Sequence, residues 1–357
     1  MLYTLGGRLK EAMLYESLSD NKVICNLCSR RCTIPPGSTG FCRVRKNIDG
    51  KLYSLVYGKV CSMAVDPIMK KPLYHFYPGS SVLSLATVGC NFRCIFCDNW
   101  VISQERDITG RELTPQRIVD TALEYACEGI SYTYTEPTIF FELTYDTAKL
   151  AKDKKLFNTY VTNGYMTVEA IECIAPYLDA ATVDFKGGGN PEFYRKYMSV
   201  PSVDPIYEAL ETMKKHGIHI EVTNLMVTKY GDNLEDLRKL ARWICDNLGE
   251  DIVFHILRFH PDYQMLDVPS TPIKSMEEAY KVAGGEGLNY VYVGNVPGHP
   301  YEDTYCPRCG LKVIDRFSFE IVSWKLRPGN LCPECGYKIA IIGEYKPGGS
   351  GYPFGLI

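Results

Sequence analysis

The chain has 357 residues, 46% of them hydrophobic and 23% charged, which is typical of a globular protein with a large core. Its formal charge of −3 argues against a strong overall attraction to nucleic acid or to anionic membranes. The sequence shows neither a signal-peptide pattern nor an apolar run of about 18 residues, so we expect a cytoplasmic protein without a membrane span.

Cysteine is the most informative residue type in this sequence. Fifteen cysteines in a chain of this kind indicate a reducing compartment and metal ligands rather than disulfides. Eleven of them fall into three closely spaced groups. The groups are Cys25, Cys28, Cys32 and Cys42; Cys90, Cys94 and Cys97; and Cys306, Cys309, Cys332 and Cys335.

Residues 1–80 are rich in turns and cysteine, and we interpret them as an N-terminal module. The spacing of its four cysteines fits a zinc ion and an auxiliary iron–sulfur cluster equally well. The module ends in an aromatic run, Tyr74–Tyr77. This run is predicted to pack the module onto the next domain; the alternative is that it covers a substrate-binding mouth.

Residues 81–301 alternate between strand and helix patterns. This alternation predicts an α/β fold with a parallel sheet. Strands are predicted at 82–88, 131–136, 156–163, 180–186, 218–227, 251–259 and 289–295. About six repeats favour a partial (β/α)6 TIM-like barrel, although a doubly wound sheet also fits. In a barrel of this kind the chemistry lies at the carboxyl ends of the strands.

Residues 302–357 form a third, small module. The segments "YCPRCG" and "LCPECG" are near copies, and their four cysteines predict a closed four-thiolate site. Zinc in a zinc ribbon is the favoured interpretation, and rubredoxin-type iron is the alternative. The module has no marked basic stripe, so we expect no nucleic-acid binding.

The loop "TVGCNFRCIFCDNW", residues 87–100, carries three cysteines directly after the first predicted barrel strand. Three thiolates at C-x3-C-x2-C can bind three irons of a [4Fe–4S] cluster and leave the fourth iron open. The amine and carboxylate of S-adenosylmethionine (SAM) can chelate that iron. The alternatives are zinc with a distant fourth ligand, or an electron-transfer cluster with its fourth cysteine elsewhere.

The segment "CNFRCIFC" resembles the C-x3-C-x-aromatic-C signature of radical SAM enzymes. Four further segments resemble the radical SAM member of the AmmeMemoRadiSam system, a family similar to pyruvate formate-lyase activating enzymes. They are "CNLCSRRCTIPPGSTGFCRVR", "DPIMKKPLYHFYPGS", "FHPDYQM" and "YVYVGNVPGH". Met69 stands where many members of that family have an acidic residue.

The resemblance implies residues that bind the cofactor, and no catalytic residue beyond the cluster and SAM. Glu136, in a "TEP" stretch that lacks the two glycines usual in the family, would bind the SAM ammonium. Asn163, Asp184 and Lys186 would hold the ribose or the methionine carboxylate. The last two implied contacts are Phe96 at the adenine and His255 at the cofactor.

Four of these residues also have a simpler interpretation. Glu136 can cap the helix that follows it, Asp184 and Lys186 can form a surface ion pair, and Asn163 can belong to a turn before Gly164. Their common position at the ends of neighbouring strands favours the cofactor site.

The resemblance implies an enzyme that takes an electron from an external donor, cleaves SAM and uses the 5′-deoxyadenosyl radical to abstract hydrogen from a substrate. Its partners would be that donor and the Memo-type and AMMECR-type proteins of the system. Similarity to activating enzymes suggests instead a glycyl hydrogen of a partner protein. The alternative from another class is a non-catalytic iron–sulfur or zinc protein that transfers electrons or binds partners.

Overall fold

The N-terminal part of the chain is built from short antiparallel strands. A computed structural model describes residues 3–4 and 7–346. The strands before residue 61 are β1 (Tyr3–Thr4), β2 (Gly7–Arg8), β3 (Lys10–Glu11), β4 (Tyr15–Ser17), β5 (Val23–Cys25), β6 (Thr33–Ile34), β7 (Arg45–Ile48), β8 (Lys51–Ser54) and β9 (Lys59–Val60). They form the small sheets β1-β2, β4-β5-β6 and β3-β8-β7.

The centre of the molecule is one eight-stranded sheet. The strands that follow are β10 (Ser62–Pro67), β11 (Ser81–Ala86), β12 (Arg111–Glu112), β13 (Gly129–Tyr132), β14 (Phe157–Thr162), β15 (Ala180–Lys186), β16 (His219–Met226), β17 (Val253–Arg258) and β18 (Tyr290–Gly294). All except β12, which pairs with β9, belong to this sheet, in the order β10-β11-β13-β14-β15-β16-β17-β18. Its strands are parallel apart from β10, which runs antiparallel to β11.

Helices connect the parallel strands. They are α1 (Trp100–Ser103), α2 (Pro115–Glu124), α3 (Phe141–Asp153), α4 (Val168–Ile174), α5 (Pro191–Met198), α6 (Asp204–Lys215), α7 (Leu234–Leu248) and α8 (Ile273–Gly284). Thr114 followed by Pro115 is a typical start of a helix, and Thr114 does cap α2: its hydroxyl accepts the amide hydrogen of Arg117 at 3.1 Å. Within residues 3–4 and 7–346, every helix is too short or too polar to cross a bilayer.

The prediction of a mostly parallel α/β sheet is confirmed, and a strand is present at each of the seven predicted places. The strand predicted at 131–136 is Gly129–Tyr132, because the chain turns after Tyr132 and Glu136 caps the 3-10 helix Pro137–Phe140. The sheet gains β10 from Ser62–Pro67, a segment that we had placed in the N-terminal module of residues 1–80. Its two edges are β10 and β18. Because the seven parallel strands share one direction, their carboxyl ends lie on the same side of the sheet.

The C-terminal module packs with residues 68–76 in a second core, which also contains residues near the amino ends of the strands. It contains β19 (Thr304–Tyr305), β20 (Lys312–Phe317) and β21 (Glu320–Trp324). The aromatic run Tyr74–Tyr77 packs the N-terminal module onto the sheet, as predicted. The ring of Phe76 lies 5.2 Å from that of Phe157, the first residue of β14. The last part of the predicted third module, from position 347 onward, lies outside the described residues.

Candidate functional site

The three-cysteine loop begins directly after β11, at the carboxyl end of the first parallel strand. Gly89 has φ of +98°, and a Cβ placed there would lie 2.7 Å from Val44 Cγ1 and 3.0 Å from the Cys42 carbonyl oxygen. The loop is therefore pressed against the N-terminal module at a position where only glycine fits. Arg93 closes the loop by donating from Nη1 to the carbonyl oxygen of Cys90 at 2.7 Å.

The thiols of this loop lie close enough to affect one another's ionisation. Burial raises the pKa of the Cys94 thiol to about 12; Cys97 adds to the rise and the Lys186 ammonium opposes it. Burial also raises the pKa of Cys90. The sulfur of Cys97 lies 3.2 Å from the hydroxyl oxygen of Ser103. Thiolates in this setting need a positive centre to ionise them, as metal ligands do.

The chemistry of this donor set suits an iron–sulfur cluster. Three thiolates from one short loop can each bind a different iron of a cubane, whereas a closed zinc site takes four protein ligands. The donor set therefore fits a [4Fe–4S] cluster, which would be held by Cys90, Cys94 and Cys97.

Glu136 is buried in the segment that follows β13, directly before the 3-10 helix Pro137–Phe140, and 2% of its surface is exposed. Its Oε1 accepts hydrogen bonds from the Thr138 amide (3.1 Å), the Thr138 hydroxyl (2.6 Å) and the Thr162 hydroxyl (2.7 Å). Its Oε2 accepts one, from the Asn163 amide at 2.8 Å. Glu136 thus caps the turn that follows, as its simpler interpretation predicted. Its Oε2, which has one donor, can accept a further hydrogen bond.

The charge of Glu136 has no cationic partner among the residues that the structure describes. Burial raises the pKa of this carboxyl group, and the four neutral donors lower it only in part. A buried carboxylate with neutral partners is a favourable place for the ammonium group of a ligand.

Asn163 connects the cysteine loop to Glu136. Its side-chain Nδ2 donates to Asn91 Oδ1 at 2.7 Å, and its Oδ1 accepts the amide hydrogen of Tyr165 at 3.0 Å. Gly164 follows with φ of +70°, so the predicted turn is also present. Asn91 was missed by the sequence analysis: it directly follows Cys90, but a single sequence gives no signal for a contact across 72 positions.

Asp184 and Lys186 lie at the carboxyl end of β15 and form an ion pair at 3.3 Å. The side chains are 27% and 16% exposed, so the pair is mostly shielded from solvent. Asp184 Oδ1 also accepts from the Thr223 hydroxyl at 2.6 Å. Burial lowers the pKa of Lys186, but Asp184 and Cys94 outweigh it and the pKa is raised. Lys186 thus keeps its positive charge beside the cysteine loop.

Phe96 and His255 have different surroundings. Phe96 is buried in the cysteine loop, and its ring lies 5.7 Å from that of Phe193. His255 is in register with Thr223, but its Nε2 lies 2.7 Å from Glu221 Oε2. The structure therefore places Glu136, Asn163, Asp184 and Lys186 around the cysteine loop and places His255 in a separate polar network. Contact of either ring with SAM stays a prediction.

The other two cysteine groups are also assembled. Cys306 and Cys335 have sulfurs 3.5 Å apart, and those of Cys309 and Cys332 are 3.6 Å apart. All four lie within 4.8 Å of one another, so this C-terminal site can hold a metal ion. The N-terminal group also converges, since a single cavity is lined by Cys25, Cys28, Cys32 and Cys42.

Comparison with known proteins defines the class. Residues 84–244 match the model of the radical SAM superfamily. This match covers the cysteine loop, the segments after β13 and β14 that carry Glu136 and Asn163, and the end of β15 with Lys186. The chain therefore contains a radical SAM domain.

Two curated relatives come from Methanocaldococcus jannaschii. "Uncharacterized protein MJ0808" is 49% identical over 338 residues, which cover 94% of this chain and 100% of that protein, and the chain belongs to the same family. MJ1632, whose name proposes a glycyl-radical enzyme activating enzyme, is 22% identical over 169 residues, covering 46% of this chain and 63% of the relative.

Among solved structures, a radical SAM methyltransferase from Sphaerobacter thermophilus is similar. The two chains are 16% identical, the TM-score is 0.48, and the alignment covers 61% of this chain and 67% of the other.

Proposed function

We propose that this protein is an enzyme that reductively cleaves SAM and uses the resulting radical to abstract hydrogen from a substrate. The observation that carries the proposal is the C-x3-C-x2-C loop after β11 in a radical SAM domain, with a buried Glu136 beside it that has no cationic partner among residues 3–4 and 7–346. The bound cluster would supply the electron that breaks the C5′–S bond of SAM.

The chain's own residues would hold and orient SAM. Glu136 Oε2 would accept a hydrogen bond from the ammonium group, and Asn163 would keep that carboxylate aligned with the cysteine loop through Asn91. Lys186 would attract the methionine carboxylate, while Asp184 would accept from a ribose hydroxyl. The buried ring of Phe96 would line the adenine site and exclude water.

The proposal is tested with anaerobically reconstituted protein, dithionite and SAM. We expect 5′-deoxyadenosine from the wild type and a loss of at least about a hundredfold in Cys94→Ala, because one iron loses its ligand. Cys173→Ala, which changes a half-buried cysteine on α4, is the matched control and should retain activity. A wild type with an intact cluster and no 5′-deoxyadenosine would instead favour a non-catalytic electron-transfer or interaction protein.

The substrate and partners follow from resemblance alone. We propose a cytoplasmic member of the AmmeMemoRadiSam system that acts with Memo-type and AMMECR-type proteins and an external electron donor. The name of MJ1632 favours instead a glycyl hydrogen on a partner protein. Incubating the enzyme and SAM with each purified partner separates the two: a glycyl radical gives a characteristic spin resonance signal, and another product changes the partner's mass.

We also propose that the C-terminal four cysteines hold structural zinc in a zinc ribbon. Support comes from the sulfur separations of 3.5 and 3.6 Å, which are close to the roughly 3.8 Å expected around zinc. Rubredoxin-type iron has similar geometry. Elemental analysis and visible absorption of the wild type against Cys309→Ala distinguish the two metals.

A further inference from the structure

The four N-terminal cysteines come from separated parts of the module and meet at one cavity. Cys25 ends β5, Cys28 and Cys32 lie on the following loop, and Cys42 precedes β7. All four side chains line this one cavity, as the ligands of one metal centre would.

The surroundings of these cysteines differ from those of the C-terminal group. Within the described ranges 3–4 and 7–346, the compact group of cysteine sulfurs, all within 4.8 Å of one another, is the C-terminal one. The N-terminal cysteines instead share a cavity with the polar side chains of Arg30, Arg45 and Asn91.

Two buried hydrogen-bond donors provide independent support. Arg45 and Asn91 both line the cavity and are 1% and 0% exposed. Among the described residues, Arg45 Nε and Asn91 Nδ2 have no hydrogen-bond partner, although the other polar atoms of Arg45 bind Glu142 and the Met13 carbonyl. Leaving such donors unpaired costs about 1–3 kcal/mol each. The sulfides of an iron–sulfur cluster are acceptors that a zinc ion does not bring.

The cavity adjoins the three-cysteine loop. A Cβ on Gly89 would lie 3.0 Å from the Cys42 carbonyl oxygen, so the two chain segments are in direct contact. Asn91, which lines the cavity, is the residue after Cys90. Arg30 spans the junction, since its Nε donates to the Asn91 carbonyl oxygen at 2.6 Å while its side chain lines the same cavity.

We propose that Cys25, Cys28, Cys32 and Cys42 hold a second [4Fe–4S] cluster, which passes electrons to the cluster at Cys90, Cys94 and Cys97. An external one-electron donor would reduce the second cluster. That cluster would return to its oxidised state as it reduces the first by one electron. The electron relay deepens the proposed function and rests on it. The identity of the metal at the four N-terminal cysteines is independent of the proposed function.

Metal content tests the cluster directly. In anaerobically reconstituted full-length protein, we expect about eight irons and eight labile sulfides per chain, four of each per cubane. Cys28→Ala/Cys32→Ala and Cys90→Ala/Cys94→Ala/Cys97→Ala should each retain about four irons, while Cys173→Ala should match the wild type. About four irons with two zinc ions in the wild type, and no iron in the triple variant, would overturn the proposal.

These outcomes separate the inference from the proposed function. Eight irons without 5′-deoxyadenosine would keep the second cluster and reject SAM cleavage; four irons with 5′-deoxyadenosine would do the reverse. If the double variant fails to fold, the wild type and the triple variant still decide the metal.

Spin resonance of the fully reduced protein tests the relay. Two clusters in adjoining segments should broaden each other's signals, so the wild-type spectrum should differ from the sum of the spectra of the double and triple variants. A wild-type spectrum equal to that sum would rule out close exchange and reject the relay.

Discussion

The buried carboxylates Glu136 and Glu221 belong to two contrasting polar networks of the central sheet. Glu221 lies near the amino end of β16, where the amides of Tyr74 and His75 donate to it at 3.0 and 2.7 Å. His255 and His219 lie 2.7 and 3.2 Å from it, so each carboxylate oxygen has two partners. Within the part of the chain that the structure describes, the partners of Glu136 are neutral, and its Oε2 has a single donor.

The electrostatics of the two groups differ accordingly. Burial alone raises both pKa values; at Glu221 the two histidines outweigh burial and the pKa is lowered, whereas at Glu136 burial prevails. Glu221 is thus compensated by the protein itself, and Glu136 would gain compensation from a cationic ligand. We infer that the network around Glu221 maintains the fold and that the one around Glu136 serves binding.

The largest effect should come from Glu221→Gln. The glutamine amide carries no charge for the two histidines, and its NH2 group lies where the neighbouring groups are also hydrogen-bond donors. We therefore expect the free energy of unfolding, measured in urea, to fall by about 3–5 kcal/mol. The control is Glu169→Gln, which breaks an exposed pair with Arg31 and should cost less than about 1 kcal/mol. Equal losses in the two variants would contradict a structural role for Glu221.

Glu136→Gln should act mainly on the ligand. We expect the Kd for SAM, measured by equilibrium dialysis, to rise roughly tenfold to a hundredfold, since a hydrogen bond to a charged group is worth about 1.5–3 kcal/mol. Glu192→Gln, an exposed change on α5, should leave the Kd unchanged. Unaltered SAM affinity in Glu136→Gln would remove the proposed distinction between the two networks.

The sequence predicted local features well and long-range contacts poorly. The parallel strands, the Thr114 cap and the cysteine groups follow from local patterns of hydrophobicity, turns and spacing. The strand at Ser62–Pro67 was missed because it lies in a turn-rich region and is a sheet edge. The contact of Gly89 with Cys42 and that of Asn163 with Asn91 depend on tertiary packing, which no local pattern encodes.

His75 makes the amino end of the sheet sensitive to acid. Burial lowers its pKa to about 3. Its Nδ1 lies 2.9 Å from the Ala340 carbonyl, which can only accept, so Nε2 accepts from the Tyr292 hydroxyl at 2.7 Å in the neutral tautomer. Between pH about 6.5 and 3 the unfolded chain binds one more proton at this residue, so stability should fall as pH falls, by about 1.4 kcal/mol per pH unit.

The measurement for His75 is urea unfolding at several pH values across that window. His75→Gln should flatten the slope by the stated amount, while His216→Gln, an exposed change after α6, should not. A slope that is the same in His75→Gln and the wild type would show that another group is responsible.

The smallest effect concerns the charge beside the cysteine loop. Lys186 keeps its proton beside Cys94, so its positive charge should favour the reduced, more negative cluster. Removing that charge in Lys186→Met should make the free energy of one-electron reduction of the cluster less favourable by about 1 kcal/mol. The midpoint potential should therefore become more negative by roughly 40 mV. Lys186→Arg should stay near the wild type, and Lys196→Met, an exposed change on α5, should not shift the potential. Because the network around Glu221 lies near the amino ends of the strands, Glu221→Gln should also leave the potential unchanged; a shift there as large as in Lys186→Met would mean that the two networks are electrostatically coupled.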